Sequence, residues 1–207
     1  MANIVTLMRF PLLFIYVAFL YTGNATIQLW SVPFIIVIIM LDMFDGMIAR
    51  LRGEVSLLGS VLDIATDRSL EIILWVVFAH LGLIPIVIPI IVITRGTTVD
   101  AVRAIGMRNG QSAFDQVKHP VSRFLVSSRW MRNSYGVVKG AAFALLTLCL
   151  GLETLGSPWY TPVYNTALVF SWVSIVYTIV RGLPVLIEGY DLLETPSPNR
   201  KKDRDEI

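Results

Sequence analysis

Four aspartates, Asp42, Asp45, Asp63 and Asp67, stand inside two strongly apolar stretches of this chain. At the centre of a bilayer each would cost roughly 2.5 to 3.5 kcal/mol on insertion scales. Shallower depth lowers that cost, but four carboxylates on adjoining helices still repel one another unless cations neutralise them. A divalent-metal site is the economical explanation. The spacing agrees: Asp42, Asp45, Gly46 and Ala49 run i, i+3, i+4, i+7, and Gly59, Asp63 and Asp67 run i, i+4, i+8, so each set shares one helix face. The short connection 51–58 makes the two helices antiparallel neighbours. Oxygen-only ligation favours Mg²⁺, Mn²⁺ or Ca²⁺ over zinc, which recruits His or Cys. His80 and His119 lie away from the acids and read as ordinary interfacial residues. Gly46 and Gly59 serve either close helix packing or the approach of a flat base or a phosphate. Arg50, one turn after Gly46, either meets phosphate oxygens or snorkels to the aqueous edge.

The elements that must hold these residues follow from composition. Hydrophobic residues make up 55% of the 207 and charged residues 15%, with a mean hydropathy of +0.69. Soluble domains average about 25% charged residues, so the solvent expected here is a bilayer. A spanning helix needs roughly 20 mostly apolar residues. Six segments qualify: 5–21, 31–51, 58–81, 86–107, 135–155 and 164–187. Breaks between them carry turn chemistry at Gly23-Asn24, at Gly82 and Pro85, and at Gly156-Ser157-Pro158. The expected fold is all-α, a polytopic integral membrane protein of six transmembrane helices with a polar active-site cavity facing the cytoplasm. One membrane domain covers 1–190 and a polar tail covers 191–207. The single Cys149 lies in an apolar run, which excludes a disulfide within the chain and a thiolate cluster.

Orientation follows from the basic residues. All 17 Lys and Arg fall in or beside the termini, 50–58 and 108–134, the regions that six spans place on one side. The connections near 22–30, 82–85 and 156–163 have none. The positive-inside rule then puts both termini in the cytoplasm, and Trp30, Trp159 and Tyr160 suit an aromatic belt at the far interface. The basic tail reads as a solvated end that holds topology and touches anionic membrane lipid, not nucleic acid. The stretch 109–134, with Arg123, Arg129, Trp130 and Arg132, reads as a basic surface loop or an interfacial segment.

Taken together the motif is Asp42-x2-Asp45-Gly46-x2-Ala49-Arg50-x8-Gly59-x3-Asp63-x3-Asp67, eight specified positions over 26 residues. It resembles the full signature of the CDP-alcohol phosphotransferases. Asn3, Thr6 and Arg9 look like the Asn, Thr and Arg that precede the first helix in many bacterial members. The resemblance implies metal-dependent transfer of a phosphatidyl group from CDP-diacylglycerol to a small alcohol, with release of CMP. It implies two divalent ions, Mg²⁺ or Mn²⁺, held by Asp42, Asp45, Asp63 and Asp67, and Asp67 as general base. Thr6, Gly46, Ala49, Arg50 and Gly59 would then border the CDP-lipid, and a homodimer is the common family assembly.

The acceptor is read from the fourth helix onward. Arg95 and Arg103 share a helix face and Lys139 enters the fifth span. An intramembrane Arg requires a partner: a phosphate on the acceptor would provide one, and Asp100 or Glu71 would provide the structural alternative. The run from Ile93 to Arg103 resembles the Arg-rich fourth helix of phosphatidylglycerophosphate synthases, which use glycerol 3-phosphate. Their Gly-Lys-x-Lys-Thr segment is replaced here by Tyr135-Gly136-Val137-Val138-Lys139. Asp67-Arg68 is similar to relatives that use inositol phosphate, which makes phosphatidylinositol (phosphate) synthesis the runner-up. Glu71, four residues beyond Asp67, extends the metal site, contacts the acceptor or pairs with an Arg. A transporter also places acids in a six-helix bundle, but its path needs polar residues reaching both faces, and here the outer halves are apolar apart from Glu153.

Overall fold

The computed structural model describes residues 2–52, 57–108, 124 and 128–194, with side chains at 8–41, 64–102, 104, 124, 128 and 130–188. Among the described residues there are six helices and no strand: α1 (Ala2–Leu20), α2 (Ala25–Arg52), α3 (Leu57–His80), α4 (Val87–Arg108), α5 (Arg129–Thr154) and α6 (Tyr160–Glu194). Each of the six apolar segments falls on one of them. The segments Trp130–Thr154 and Tyr160–Glu188 are long and apolar enough to cross a bilayer, and Met8–Leu20 and Ala25–Leu41 are shorter apolar stretches. Large apolar side chains also face outward, among them Phe14, Val37, Val76, Ile90, Val169 and Val176. Helices that are apolar all round are those of a buried or membrane environment.

Five boundaries differ by three residues or more from the sequence expectation, two of them on α6, which runs Tyr160–Glu194 where 164–187 was expected. The second helix starts at Ala25, because Asn24 caps it: its Oδ1 accepts from the backbone N–H of Thr26 (3.0 Å) and Ile27 (3.3 Å). One polar residue that made 22–30 look like a loop is satisfied inside the protein. Gln28, 2% exposed, donates through Nε2 to the Leu20 carbonyl at 3.0 Å and accepts at Oε1 from the Thr154 hydroxyl at 2.6 Å. Helix α1 begins at Ala2, so Asn3, Thr6 and Arg9 lie within it and not ahead of it, there being no Gly or Pro before Pro11 to delay the start. Helix α5 begins at Arg129, which turns the end of the expected 109–134 loop into helix and leaves Trp130 84% exposed on its first turn. Residues 109–123 lie outside the described part.

The chain divides into two compact units, Met1–Pro89 with Val138–Val173, and Ile90–Val137 with Ser174–Ile207. In the first, α1 packs on both α2 and α3. Its buried side chains include Leu13, Tyr16, Leu20, Ile35, Ile38, Trp75, Phe78, Phe143, Leu146 and Cys149. Lipid tails are as apolar as leucine, so close packing and hydrogen bonds must hold such helices together. Glycines allow that approach: a Cβ added at Gly151 would lie 2.8 Å from Leu29 Cδ2, and one at Gly140 would lie 3.6 Å from Ile39 Cδ1. Tyr16 and Thr147 join their hydroxyls at 2.5 Å across α1 and α5.

Two helix ends in this unit close by the same backbone device. After α3, Leu83 N–H donates to Phe78 O and Gly82 N–H to Ala79 O; after α5, Ser157 N–H donates to Leu152 O and Gly156 N–H to Glu153 O. These are Schellman motifs, and Gly82 and Gly156 take the left-handed φ of 76° and 63° that they require. The Tyr21 hydroxyl meets His80 Nδ1 at 2.8 Å, and with the Gln28–Thr154 bond this gathers the three connections 21–24, 81–86 and 155–159 at one end. In the second unit Val99 and Val185 form the buried centre, with Val102 and Leu186 packed against them.

Candidate active site

The motif residues sit on continuous helix. Asp42, Asp45, Gly46, Ala49 and Arg50 occupy the last turns of α2, and Gly59, Asp63 and Asp67 the first turns of α3, so the i, i+3, i+4, i+7 and i, i+4, i+8 spacings are realised as helical registers. The side chains of Thr6, Asp42, Asp45, Gly46, Ala49, Arg50, Gly59, Asp63 and Arg103 lie outside the described residues. Asp67 is described. Its side chain is 54% exposed, and Oδ1 accepts from Nη1 of Arg9 at 3.3 Å. Arg9 is fully buried on α1. A buried guanidinium thus reaches a half-exposed carboxylate, and the pair ties α1 to the motif helix.

One turn further along α3 the carboxylate environment changes. Glu71 is nearly buried, with Lys139 Nζ of α5 at 3.3 Å from Oε2 and Arg68 Nη1 at 4.0 Å from the same atom. Of the three roles open to Glu71 in the sequence, pairing with a cation is the one described, and the nearer cation is a lysine. Another turn brings Trp75, fully buried, with its ring edge-on to Phe143 of α5 at 4.8 Å between centroids; Phe78 stacks on the same ring at 5.9 Å. Polarity therefore falls along one face of α3, from Asp67 through Glu71 to Trp75.

In the second unit Arg95 lies across the backbone of α6. A Cβ at Gly182 would come within 2.5 Å of Arg95 Nε and 2.8 Å of its Cγ, so a side chain there would displace this arginine. Beside it in sequence, Arg181 places its guanidinium carbon 5.4 Å from the centroid of the Tyr135 ring, a cation–π contact. The Tyr135 hydroxyl accepts from Thr178 Oγ1 at 3.2 Å. Sequence reasoning passed over Gly182, Tyr135 and Arg181. The available signal was Arg181 itself, a costly charge in the apolar run 164–187.

Among the described residues no three His, Cys, Asp or Glu gather as a metal group. The motif's donor set is nonetheless suited to a hard divalent ion: four carboxylates on consecutive helices, with neither His nor Cys among them. The described member, Asp67, is open enough for such an ion to approach.

An acidic motif carried by α2 and α3 of an all-helical, strongly apolar chain points to a membrane-associated protein with a candidate metal site. The chain belongs to the CDP-alcohol phosphatidyltransferase family, whose sequence model matches residues 1–180. Enzymes of this kind transfer a phosphatidyl group from a CDP-alcohol to an alcohol acceptor and generally depend on divalent metal. The family and the two long apolar helices point to a membrane protein. No curated protein matches the chain.

Proposed function

We propose that this protein transfers the phosphatidyl group of CDP-diacylglycerol to glycerol 3-phosphate, releasing CMP, as a phosphatidylglycerophosphate synthase-like enzyme of phospholipid synthesis. Residues 1–190 act as one membrane domain of six spans with a cavity open to the cytoplasm, where both termini lie, and 191–207 form the polar tail. The chain works as a homodimer in the cytoplasmic membrane. Support for the topology comes from the gathering of the three connections without Lys or Arg at one end of the first unit.

Asp42, Asp45, Asp63 and Asp67 would hold two ions, Mg²⁺ or Mn²⁺, which supply charge neutralisation for the pyrophosphate and the departing CMP. The chain's own residues do the rest. Thr6, Gly46, Ala49, Arg50 and Gly59 bind the cytidine and phosphates of the donor. Asp67 takes the proton of the acceptor hydroxyl as its oxygen bonds to phosphorus and the bond to CMP breaks. Arg9 donates to the Asp67 carboxylate and orients it for this step. Arg95, Arg103 and Lys139 are assigned to the acceptor. The observation that carries the proposal is the buried Arg9 reaching Asp67, because it ties the last motif acid to α1 while that side chain stays 54% exposed.

Asp67-Arg68 keeps inositol phosphate or inositol as the second acceptor reading. The test is CMP release by purified protein with CDP-diacylglycerol and Mg²⁺ or Mn²⁺, offering glycerol 3-phosphate, inositol 1-phosphate, inositol and serine separately. Turnover with glycerol 3-phosphate alone is expected. Turnover only with an inositol compound transfers the assignment to phosphatidylinositol (phosphate) synthesis, and silence with all four rejects the reaction.

A further inference from the structure

The ion pair one turn past Asp67 is asymmetric. The Glu71 side chain is 8% exposed and that of Lys139 22%, with Nζ 3.3 Å from Oε2. The carboxylate is enclosed, with Arg68 Nη1 farther off at 4.0 Å from the same oxygen, and the lysine is the more exposed arm of the pair. Four residues separate Glu71 from Asp67 on α3, about 6 Å along the helix axis at 1.5 Å per residue. A small polyol or its phosphate, with its reacting hydroxyl at Asp67, has a length of that order. Beyond Glu71 the interior is closed by Trp75 and Phe143, which marks the depth that a polar ligand can reach.

We infer that Glu71 is a positioning residue for the acceptor: it holds the Lys139 ammonium one helical turn from Asp67, where that ammonium meets the end of the acceptor opposite the reacting hydroxyl. Lysine has a long, flexible stem, and ordering it at the moment of binding weakens a contact. A buried carboxylate that has already ordered it removes that cost and fixes the distance between the base and the anchoring cation. Shared charge also makes the anchor less demanding of a full negative charge than a lone ammonium, so hydroxyl-rich and phosphate-bearing ends are both admitted. The inference rests on the proposed roles of Asp67 and Lys139.

The experiment is steady-state kinetics of CMP release by the full-length membrane protein with CDP-diacylglycerol and glycerol 3-phosphate, or inositol 1-phosphate should that be the acceptor that supports turnover. Glu71→Gln is expected to raise the acceptor KM about tenfold or more while leaving the donor KM within about twofold. Glu71→Asp, which keeps the charge on a shorter arm, should fall between. The exchange Glu71→Lys with Lys139→Glu restores the pair but places the carboxylate on the more exposed arm. It should recover the thermal midpoint without recovering the acceptor KM. Recovery of both, or equal loss for donor and acceptor in Glu71→Gln, makes the pair structural and overturns the inference. A wild type inactive with every acceptor removes the reaction itself, and this inference with it; an active wild type with an unchanged acceptor KM in Glu71→Gln removes this inference alone.

Discussion

Arg9 and Asp67 are 58 residues apart in the sequence, and Nη1 of the first lies 3.3 Å from Oδ1 of the second. One end of this pair is fully buried and the other is half exposed, so its two members respond differently to substitution. Asp67→Asn keeps a carbonyl oxygen for the guanidinium and should hold the thermal midpoint within a few degrees. Loss of a general base costs about 10² to 10⁴ in rate. The variant should therefore bind CDP-diacylglycerol and turn it over at least about a hundredfold more slowly; near-normal turnover would remove the base assignment.

If Arg9 acts through Asp67, its effects cannot add to those of the acid. Arg9→Gln alone should lower kcat, yet combined with Asp67→Asn it should lower kcat no further, since residues that act as a unit are non-additive. Fully additive losses in this cycle would show that Arg9 serves another step.

Stripping divalent ions with a chelator should abolish CMP release, and Mg²⁺ or Mn²⁺ should restore it. Substituting Asp42, Asp45 or Asp63 by Ala should weaken Mn²⁺ binding, measured directly by calorimetry on the detergent-solubilised protein. Unchanged Mn²⁺ affinity in all three variants would move the metal site elsewhere.

Two glycine substitutions separate packing from binding. Gly151→Ala drives a methyl to within 2.8 Å of Leu29 Cδ2 and 3.3 Å of its backbone N, and should lower stability by about 1 to 3 kcal/mol with the acceptor KM intact. Gly182→Ala displaces Arg95 and should raise the acceptor KM as well. Equal KM values in the two variants would argue against Arg95 as an acceptor ligand.

The chain's one thiol, Cys149, is buried, which leaves the protein a clean background for labelling. In sealed inverted vesicles a membrane-impermeant maleimide should label Ser197→Cys, on the cytoplasmic tail, and spare Ser157→Cys in the connection after α5. The reverse pattern would invert the topology.

Much of the fold was legible because the signals are local. Twenty or so apolar residues make a helix wherever they occur, and the turn glycines Gly23, Gly82 and Gly156 all adopt positive φ. The start of α2 was missed because Thr26 and Gln28 are polar, and a linear reading cannot know that α1 and α5 satisfy Gln28. The same limit hid the pairs at the candidate site. Periodicity shows that Asp67 and Glu71 share a face, but not that Arg9 of α1 faces the first and Lys139 of α5 the second. Gly182 read as one glycine among fourteen until Arg95 was found lying on it.

The two Schellman closures bear on how such a chain enters a membrane during synthesis. A hairpin of apolar helices must carry its turn across hydrocarbon, where each bare peptide group costs several kcal/mol. At Gly82 and Gly156 the carbonyls of Phe78 and Ala79 in α3 and of Leu152 and Glu153 in α5 are occupied by N–H groups of the turn itself, with no side chain or neighbouring helix required. In the proposed topology each apex would cross with those carbonyls already satisfied, before the rest of the bundle exists to receive it.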